Sequence, residues 1–227
     1  MKAVFFDFDG TLTQKGKNLW KATFELLGYD VTSNNGEYKS LFRDFLSGKI
    51  DYKEWCDQTC ECYRARGFSK EMLQGLILDI KLLDGVKQTF ETLQKQNIKV
   101  CILSGNFVEI IKYVLGDLTK YVSKINANSV EFDKNGIILK INSTNYDFEG
   151  KAKFIADYCS QNKINPQDVL FVGNADNDEW AYQSGCKTLC VNPDKTDGQD
   201  TKKWHYCIEK MQNMTEILPI ITKIKGE

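Results

Sequence analysis

The run Ala3-Val4-Phe5-Phe6 passes directly into Asp7-Phe8-Asp9-Gly10-Thr11. A strand apolar enough to be buried on both faces therefore carries two carboxylates to its carboxyl end. In open α/β sheets the chemistry lies beyond those strand ends. Gly10 lets the backbone turn sharply there and approach a ligand closely. Two ionised carboxylates at the end of a buried strand need a partner, and a hard divalent cation such as Mg²⁺, which takes oxygen ligands, suits them. A plainer reading makes the pair part of an ordinary strand-to-helix turn, with Asp9 or Thr11 as its N-cap.

The same punctuation recurs downstream. Residues 98–103 form an apolar run ending at Ser104-Gly105-Asn106, residues 168–172 end at Gly173, and residues 187–191 end at Asn192-Pro193. Each is a short buried-strand pattern, and helical stretches such as 86–96 separate them. Residues 129–132 and 137–141 flank Asp133-Lys134-Asn135-Gly136, whose Asn-Gly is a strong hairpin signal. Between Thr11 and Asp84 the apolar residues recur at helical spacing instead. One face runs from Leu19 to Leu27 and stops at Gly28. Tyr38, Leu41, Phe42, Phe45 and Leu46 stop before Gly48, and Tyr52, Trp55, Cys56 and Tyr63 stop before Gly67. A fourth helix follows Ser69, a candidate N-cap. The chain reads as a parallel α/β sheet carrying a helical insertion and one antiparallel hairpin.

Composition narrows the function. With 30 basic against 31 acidic residues there is no excess to meet nucleic acid by counterion release, although Lys202-Lys203 is basic enough to hold one phosphate. No apolar stretch approaches a membrane span, and the start lacks the features of a signal peptide, so a cytoplasmic location is expected, without membrane or nucleic-acid partners. Cys56, Cys60 and Cys62 form a C-x3-C-x-C cluster. Zinc there would want a fourth soft ligand, and the only histidine, His205, is far away in sequence, so reduced structural thiols fit better.

Polar clusters end the expected elements in a fixed order. Asp7 and Asp9 end the first strand. Ser104 ends the second, where its hydroxyl and the amides of Gly105 and Asn106 are expected to point from a helix N-terminus at an anion. Lys151 starts a helix, and Asn174, Asp176, Asn177 and Asp178 follow the strand ending at Gly173. On these motifs the chain resembles the haloacid dehalogenase superfamily, and within it the phosphoserine phosphatase group. Asp7 to Thr11 match the family's Asp-x-Asp-Gly-Thr, Ser104-Gly105-Asn106-Phe107 is close to that group's Ser-Gly-Gly-Phe, and Lys151 and residues 173–178 match the third and fourth motifs.

The resemblance implies a Rossmann-like three-layer α/β/α sandwich with a mainly parallel sheet. Its core would take residues 1–13 and 84–227, and a small helical cap, inserted after the first strand, residues 14–83. It implies a Mg²⁺-dependent phosphomonoesterase acting on a small phosphorylated metabolite, as a monomer or homodimer. Asp7 would be the nucleophile, forming an aspartyl-phosphate, and Asp9 the general acid and base. Thr11, Ser104, Gly105, Asn106 and Lys151 would bind the phosphate, and Asp7, Asp9 through its carbonyl, Asn174 and Asp178 would hold Mg²⁺.

Two positions depart from the pattern. Asn174 stands where the group has its first fourth-motif aspartate. Either it is a neutral ligand with Asp178 supplying charge through a water or hydrogen bond, or Asp176 has taken over part of the task; the spacing favours the first. The Glu that the group uses for the substrate's amino group is missing from Thr13-Gln14-Lys15-Gly16-Lys17, and Arg43 is the candidate for its carboxylate. Lys15 and Lys17 suit a more anionic substrate. The alternatives are a phosphotransferase or mutase using the same Asp7, and a low-activity module that binds a phosphorylated ligand. Retention of Asp7, Asp9, Ser104 and Lys151 together argues against the module, since binding alone needs no nucleophile.

Overall fold

Strand β1 (Ala3–Phe6) is fully buried at all four residues, and the order of elements after it explains why. Four helices come next: α1 (Leu19–Leu26), α2 (Glu37–Leu46), α3 (Tyr52–Ala65) and α4 (Lys70–Ile77). Then α5 (Val86–Lys95), β2 (Lys99–Phe107) and α6 (Val108–Leu115) lead to the hairpin of β3 (Val122–Phe132) and β4 (Ile138–Asn142). Helix α7 (Glu149–Asn162), β5 (Val169–Gly173), the short α8 (Asp176–Glu179), β6 (Lys187–Val191), β7 (Tyr206–Ile208) and α9 (Leu218–Gly226) follow. This computed structural model describes residues 1–16, 18–194 and 204–226; Lys17 and the Lys202-Lys203 pair lie outside them.

The seven strands form one sheet in the order β4-β3-β2-β1-β5-β6-β7, parallel except for the β3–β4 pair. Successive side chains of a strand point to opposite faces, and here that period divides the helices into two layers. Val4, Phe6, Val100, Ile102, Leu170 and Val172 pack with Phe90 of α5, Ile110 of α6 and Ile221 of α9. Ala3, Phe5, Cys101, Leu103, Val169 and Phe171 pack with Phe154, Ile155 and Tyr158 of α7. The result is the expected three-layer α/β/α sandwich with a mainly parallel sheet. The Asp7 amide extends the β1 ladder by donating to the Val172 carbonyl at 2.9 Å. Asp7 thus shares the parity of Ala3 and Phe5, and its carboxylate is delivered to the α7 side.

The helices between β1 and α5 start where their sequence tells them to. Ser69 Oγ accepts the Met72 amide, and Asp51 and Glu54 form a reciprocal capping box on α3. Their aromatic stripes meet one another: the Phe24 ring lies 5.2 to 5.5 Å from those of Tyr63, Tyr29 and Tyr38, and Trp20 lies 4.7 Å from Trp55. A backbone bridge between Thr13 and Leu82 closes the excursion, and a second, between Ser69 and Ile137, ties the start of α4 to the hairpin.

Two local expectations change. Ser104-Gly105-Asn106 is not a helix N-terminus: β2 continues through it to Phe107, because a register shift lets Phe107 pair with Asn128 of β3. Helix α6 begins only at Val108. Likewise β3 runs well upstream of the hairpin, pairing parallel with β2 and antiparallel with β4 along one strand. His205 is structural, its Nδ1 accepting the Thr188 amide at 3.1 Å. All eight cysteines are free, Cys56 and Cys60 are buried, and burial raises both thiols.

Phe5 is fully buried edge-on to Tyr158 at 5.0 Å and Phe154 at 6.1 Å. Phe5→Ala is expected to lower the unfolding free energy by about 3–5 kcal/mol, read from the urea midpoint at unchanged slope.

Candidate active site

Lys151, in the first turn of α7, has no solvent exposure, so its ammonium needs charged partners from the chain. It finds three. Nζ donates to Asp7 Oδ1 at 3.1 Å and to Asp178 Oδ1, and Asp147 Oδ1 lies 3.4 Å away. The partners come from the end of β1, from α8, and from the segment between β4 and α7. Asp178 is itself fully buried, and its second oxygen accepts the amides of Asn174 at 2.9 Å and Ala175 at 3.1 Å. Burial works against the Lys151 ammonium, but Asp178, Asp7 and Asp147 hold it well above its ordinary value. Burial and the neighbouring Asp178 raise the Asp7 carboxyl well above the usual range, against the Lys151 charge.

Asp9 sits at the mouth of this cluster and opens to solvent. Its two oxygens accept the Asn106 amide nitrogen at 3.0 and 2.8 Å, and the Asn106 backbone amide donates to Ser104 Oγ at 3.2 Å. The protein packed around Asp9 pushes its carboxyl up to about 6, while the Asn106 hydrogen bonds and Lys151 pull it down. Behind Asp9, Gly10 adopts φ +74°, and a Cβ there would meet the Asn174 side chain at 2.7 Å. This close approach lets Thr11 Oγ1 donate to Asn174 Oδ1 at 3.1 Å.

Asp7, Asp9, Thr11, Ser104, Gly105, Asn106, Lys151, Asn174 and Asp178 thus converge where the carboxyl ends of β1, β2 and β5 meet α7. Within the cluster Thr11 is turned to Asn174 and Asn106 to Asp9. Asp178 spends its oxygens on Lys151 and two amides. Arg43 is exposed on α2, donating to the Asn34 carbonyl at 2.8 Å and Ser40 Oγ at 3.3 Å. Lys15 pairs with Asp194 at 2.9 Å, and Asp176 is exposed at the start of α8.

Asp147 escaped the reading of the sequence, and Asn177 was noticed there without a role. Asn177 Nδ2 donates to Asp147 Oδ1 at 2.9 Å, and a Cβ built on Gly105 would overlap the Asp147 carboxylate. No local signal marks Asp147: it stands four residues before Lys151, but it lies ahead of α7, and Phe148 between them has φ +49°, so the contact is not one across a helical turn.

The donor set can be tested against a hard cation. Among the described residues no three His, Cys, Asp or Glu side chains gather in a ligating arrangement. The Asp7 carboxylate and the buried Asn174 amide oxygen nevertheless lie in one cluster, and amide and main-chain carbonyl oxygens are ligands that Mg²⁺ accepts. Asp7, Asp9, Asp147 and Asp178 face the single ammonium of Lys151, so negative charge is in excess. The residues fit Mg²⁺.

The family model of the haloacid dehalogenase-like hydrolases matches residues 1–184. The chain is similar to the phosphoserine phosphatase of Lactococcus lactis, 27% identical over 175 residues, 77% of this chain and 76% of that protein. It is 25% identical over 210 residues to the phosphoserine phosphatase of Archaeoglobus fulgidus, covering 89% of this chain but only 57% of the relative, little more than half its length. A substrate-bound phosphoserine phosphatase complex superposes with a TM-score of 0.74 at 19% identity, over 97% of this chain and 98% of that one. The structure of a phospho-aspartyl intermediate analogue of phosphoserine phosphatase gives 0.73 at 18% identity, with the same coverage. At these identities the structures speak for the fold.

A hydrogen bond donated to a carboxylate favours its charged form, so loss of the Asn106 amide must raise the Asp9 pKa. Carboxyl-carbon NMR of the metal-free protein is expected to give an Asp9 midpoint of about 6, and a higher midpoint in Asn106→Ala.

Proposed function

Because the chain belongs to the haloacid dehalogenase-like hydrolases, we propose that it is a phosphoric monoester hydrolase, Mg²⁺-dependent, acting on a small phosphorylated metabolite through an aspartyl-phosphate on Asp7. One observation carries the reading: Asp7 ends a central strand with its carboxylate buried against a fully buried lysine, beside a second aspartate gripped by an amide. An ordinary strand-to-helix turn has no need of a buried lysine from a helix 144 residues away.

Each residue has a task that its position suits. Asp7 Oδ attacks the phosphorus, and the alkoxide leaves with the proton of Asp9. A carboxyl pushed up to about 6 is well placed to give that proton near neutrality and then, as carboxylate, to take one from the attacking water. Lys151, Ser104 and the Gly105 amide hold the non-bridging oxygens as charge moves among them. Asn106 orients Asp9 rather than serving the phosphate alone. Asp7, the Asp9 carbonyl and Asn174 would hold Mg²⁺, with Asp178 adding negative charge from behind. When bound there, the cation screens the repulsion between an anionic nucleophile and an anionic ester. The helices α1 to α4 act as a cap on the core and limit the size of what enters.

The matched relatives named above are phosphoserine phosphatases, which makes phosphoserine the first substrate to try. The Glu that phosphoserine phosphatases use has no counterpart between Thr11 and Gly16, and Arg43, the candidate for the carboxylate, is exposed and engaged by the Asn34 carbonyl and Ser40 Oγ. The substrate is therefore placed as a small phosphomonoester, with serine one member of the panel. Phosphate release from such a panel is expected to need Mg²⁺ and to stop on chelation. Asp7→Asn is expected to lower kcat by about a thousandfold or more with its fold intact by circular dichroism. Activity surviving both changes would sink the reading.

A further inference from the structure

An ammonium group has three protons. Lys151 gives one to Asp7 and one to Asp178, and Asp147 occupies the remaining side at 3.4 Å. The phosphatase reading, on which this inference rests, requires a phosphate oxygen to reach the same ammonium. One of the three carboxylates must then give way, because a phosphate and a carboxylate cannot share that position without strong repulsion.

The three are not equally fixed. Asp7 is anchored by the β1 ladder through its amide. Asp178 has no exposure, and its second oxygen holds two backbone amides. Asp147 makes the longest contact and keeps 10% of its side-chain exposure. Its Oδ1 also accepts from Asn177 Nδ2 at 2.9 Å and from the Phe148 amide at 3.0 Å. The carboxylate lies against Gly105, where any side chain at that position would overlap it. It therefore rests beside two of the groups assigned to the phosphate, Lys151 and Gly105.

The next residue along the chain reaches somewhere else. Phe148 has φ +49° and ψ −127°, a conformation costly for a residue with a ring, and Asn145 nearby has φ +53°. Such a conformation persists only where contacts hold it. Here the Phe148 ring packs 5.0 Å from Phe45 and 6.4 Å from Phe42, both on α2. Adjacent residues on one strained segment thus touch the ammonium of the site and the aromatic face of the inserted helices.

We propose that Asp147-Phe148 is a displaceable latch: Asp147 holds the third side of the Lys151 ammonium in the free enzyme, an incoming phosphate group expels it, and Phe148 passes the displacement to α2. The exchange frees the Asn177 amide as well as a Lys151 proton for the ligand. Phosphate arrival and rearrangement of the inserted helices become one event.

Inorganic phosphate is the probe, titrated into the full chain with Mg²⁺ present and followed by calorimetry and by tryptophan fluorescence. Trp55 lies 6.0 Å from Phe45 and 6.3 Å from Phe42, so it reports on α2. Asp147→Asn preserves the shape but removes the competing charge, and it is expected to bind phosphate about tenfold more tightly or better. Phe148→Ala is expected to bind phosphate no more weakly than wild type and to lose the phosphate-induced fluorescence change. Equal or weaker phosphate binding by a natively folded Asp147→Asn overturns the latch. So does a fluorescence change that persists undiminished in Phe148→Ala, an arm that decides the matter even where Asp147→Asn does not fold. Wild-type protein that binds no phosphate at all overturns the phosphatase reading, whereas phosphate bound equally by wild type and Asp147→Asn overturns the latch alone.

Discussion

The buried ammonium of Lys151 is the interaction on which the rest of this structure turns. It joins the end of β1, the first turn of α7 and the turn after β5, and it does so where water cannot take over for a lost partner. Deleting one partner of such a buried pair costs about 3–5 kcal/mol, because the remaining charge is left without compensation. The fold and the chemistry therefore share one element. The same ion contacts that bring α7 onto the sheet also set the direction of the Asp7 carboxylate.

Much of this was legible in the chain before any coordinates. The strand at 98–103 announces itself as a continuous apolar run closed by turn residues, and the helix around Phe42 and Phe45 by its 3.6-residue period; both are local properties. The Asp7-to-Thr11 motif was legible for the same reason: a buried strand and its turn are written in consecutive residues. What escaped depends on distant partners. Whether the strand stops at Ser104 or runs on to Phe107 is decided by Asn128 of β3, which pairs with Phe107. Asn106 looked like an anion ligand, and only folding reveals that its amide grips Asp9. Asp147 lay in a stretch with no periodic pattern, so nothing local marked it. Arg43 was chosen for its charge, which the fold spends on the Asn34 carbonyl.

Asn174 alters the balance of the site without altering its layout. Thr11 and Gly10 fit closely around it, so an amide is built into this geometry and not merely tolerated. A cation held there, as the proposed function requires, would receive an oxygen dipole in place of a full charge. Asp178, fixed by Lys151 and by the amides of Asn174 and Ala175, would then supply negative charge from behind.

Placing β1 in the middle of the sheet, between β2 and β5, has a consequence for how such a protein can change over evolutionary time. Asp7 and the turn after β5 follow the central, most deeply paired strands, and Lys151 packs against them from α7, where almost any substitution is felt by the whole core. The segment before α7 and the aromatic face of α2, which meet through Phe148, stand outside that sheet. Mutations there meet fewer constraints, so under the proposed function the range of accepted esters can drift while Asp7 and Lys151 stay in place.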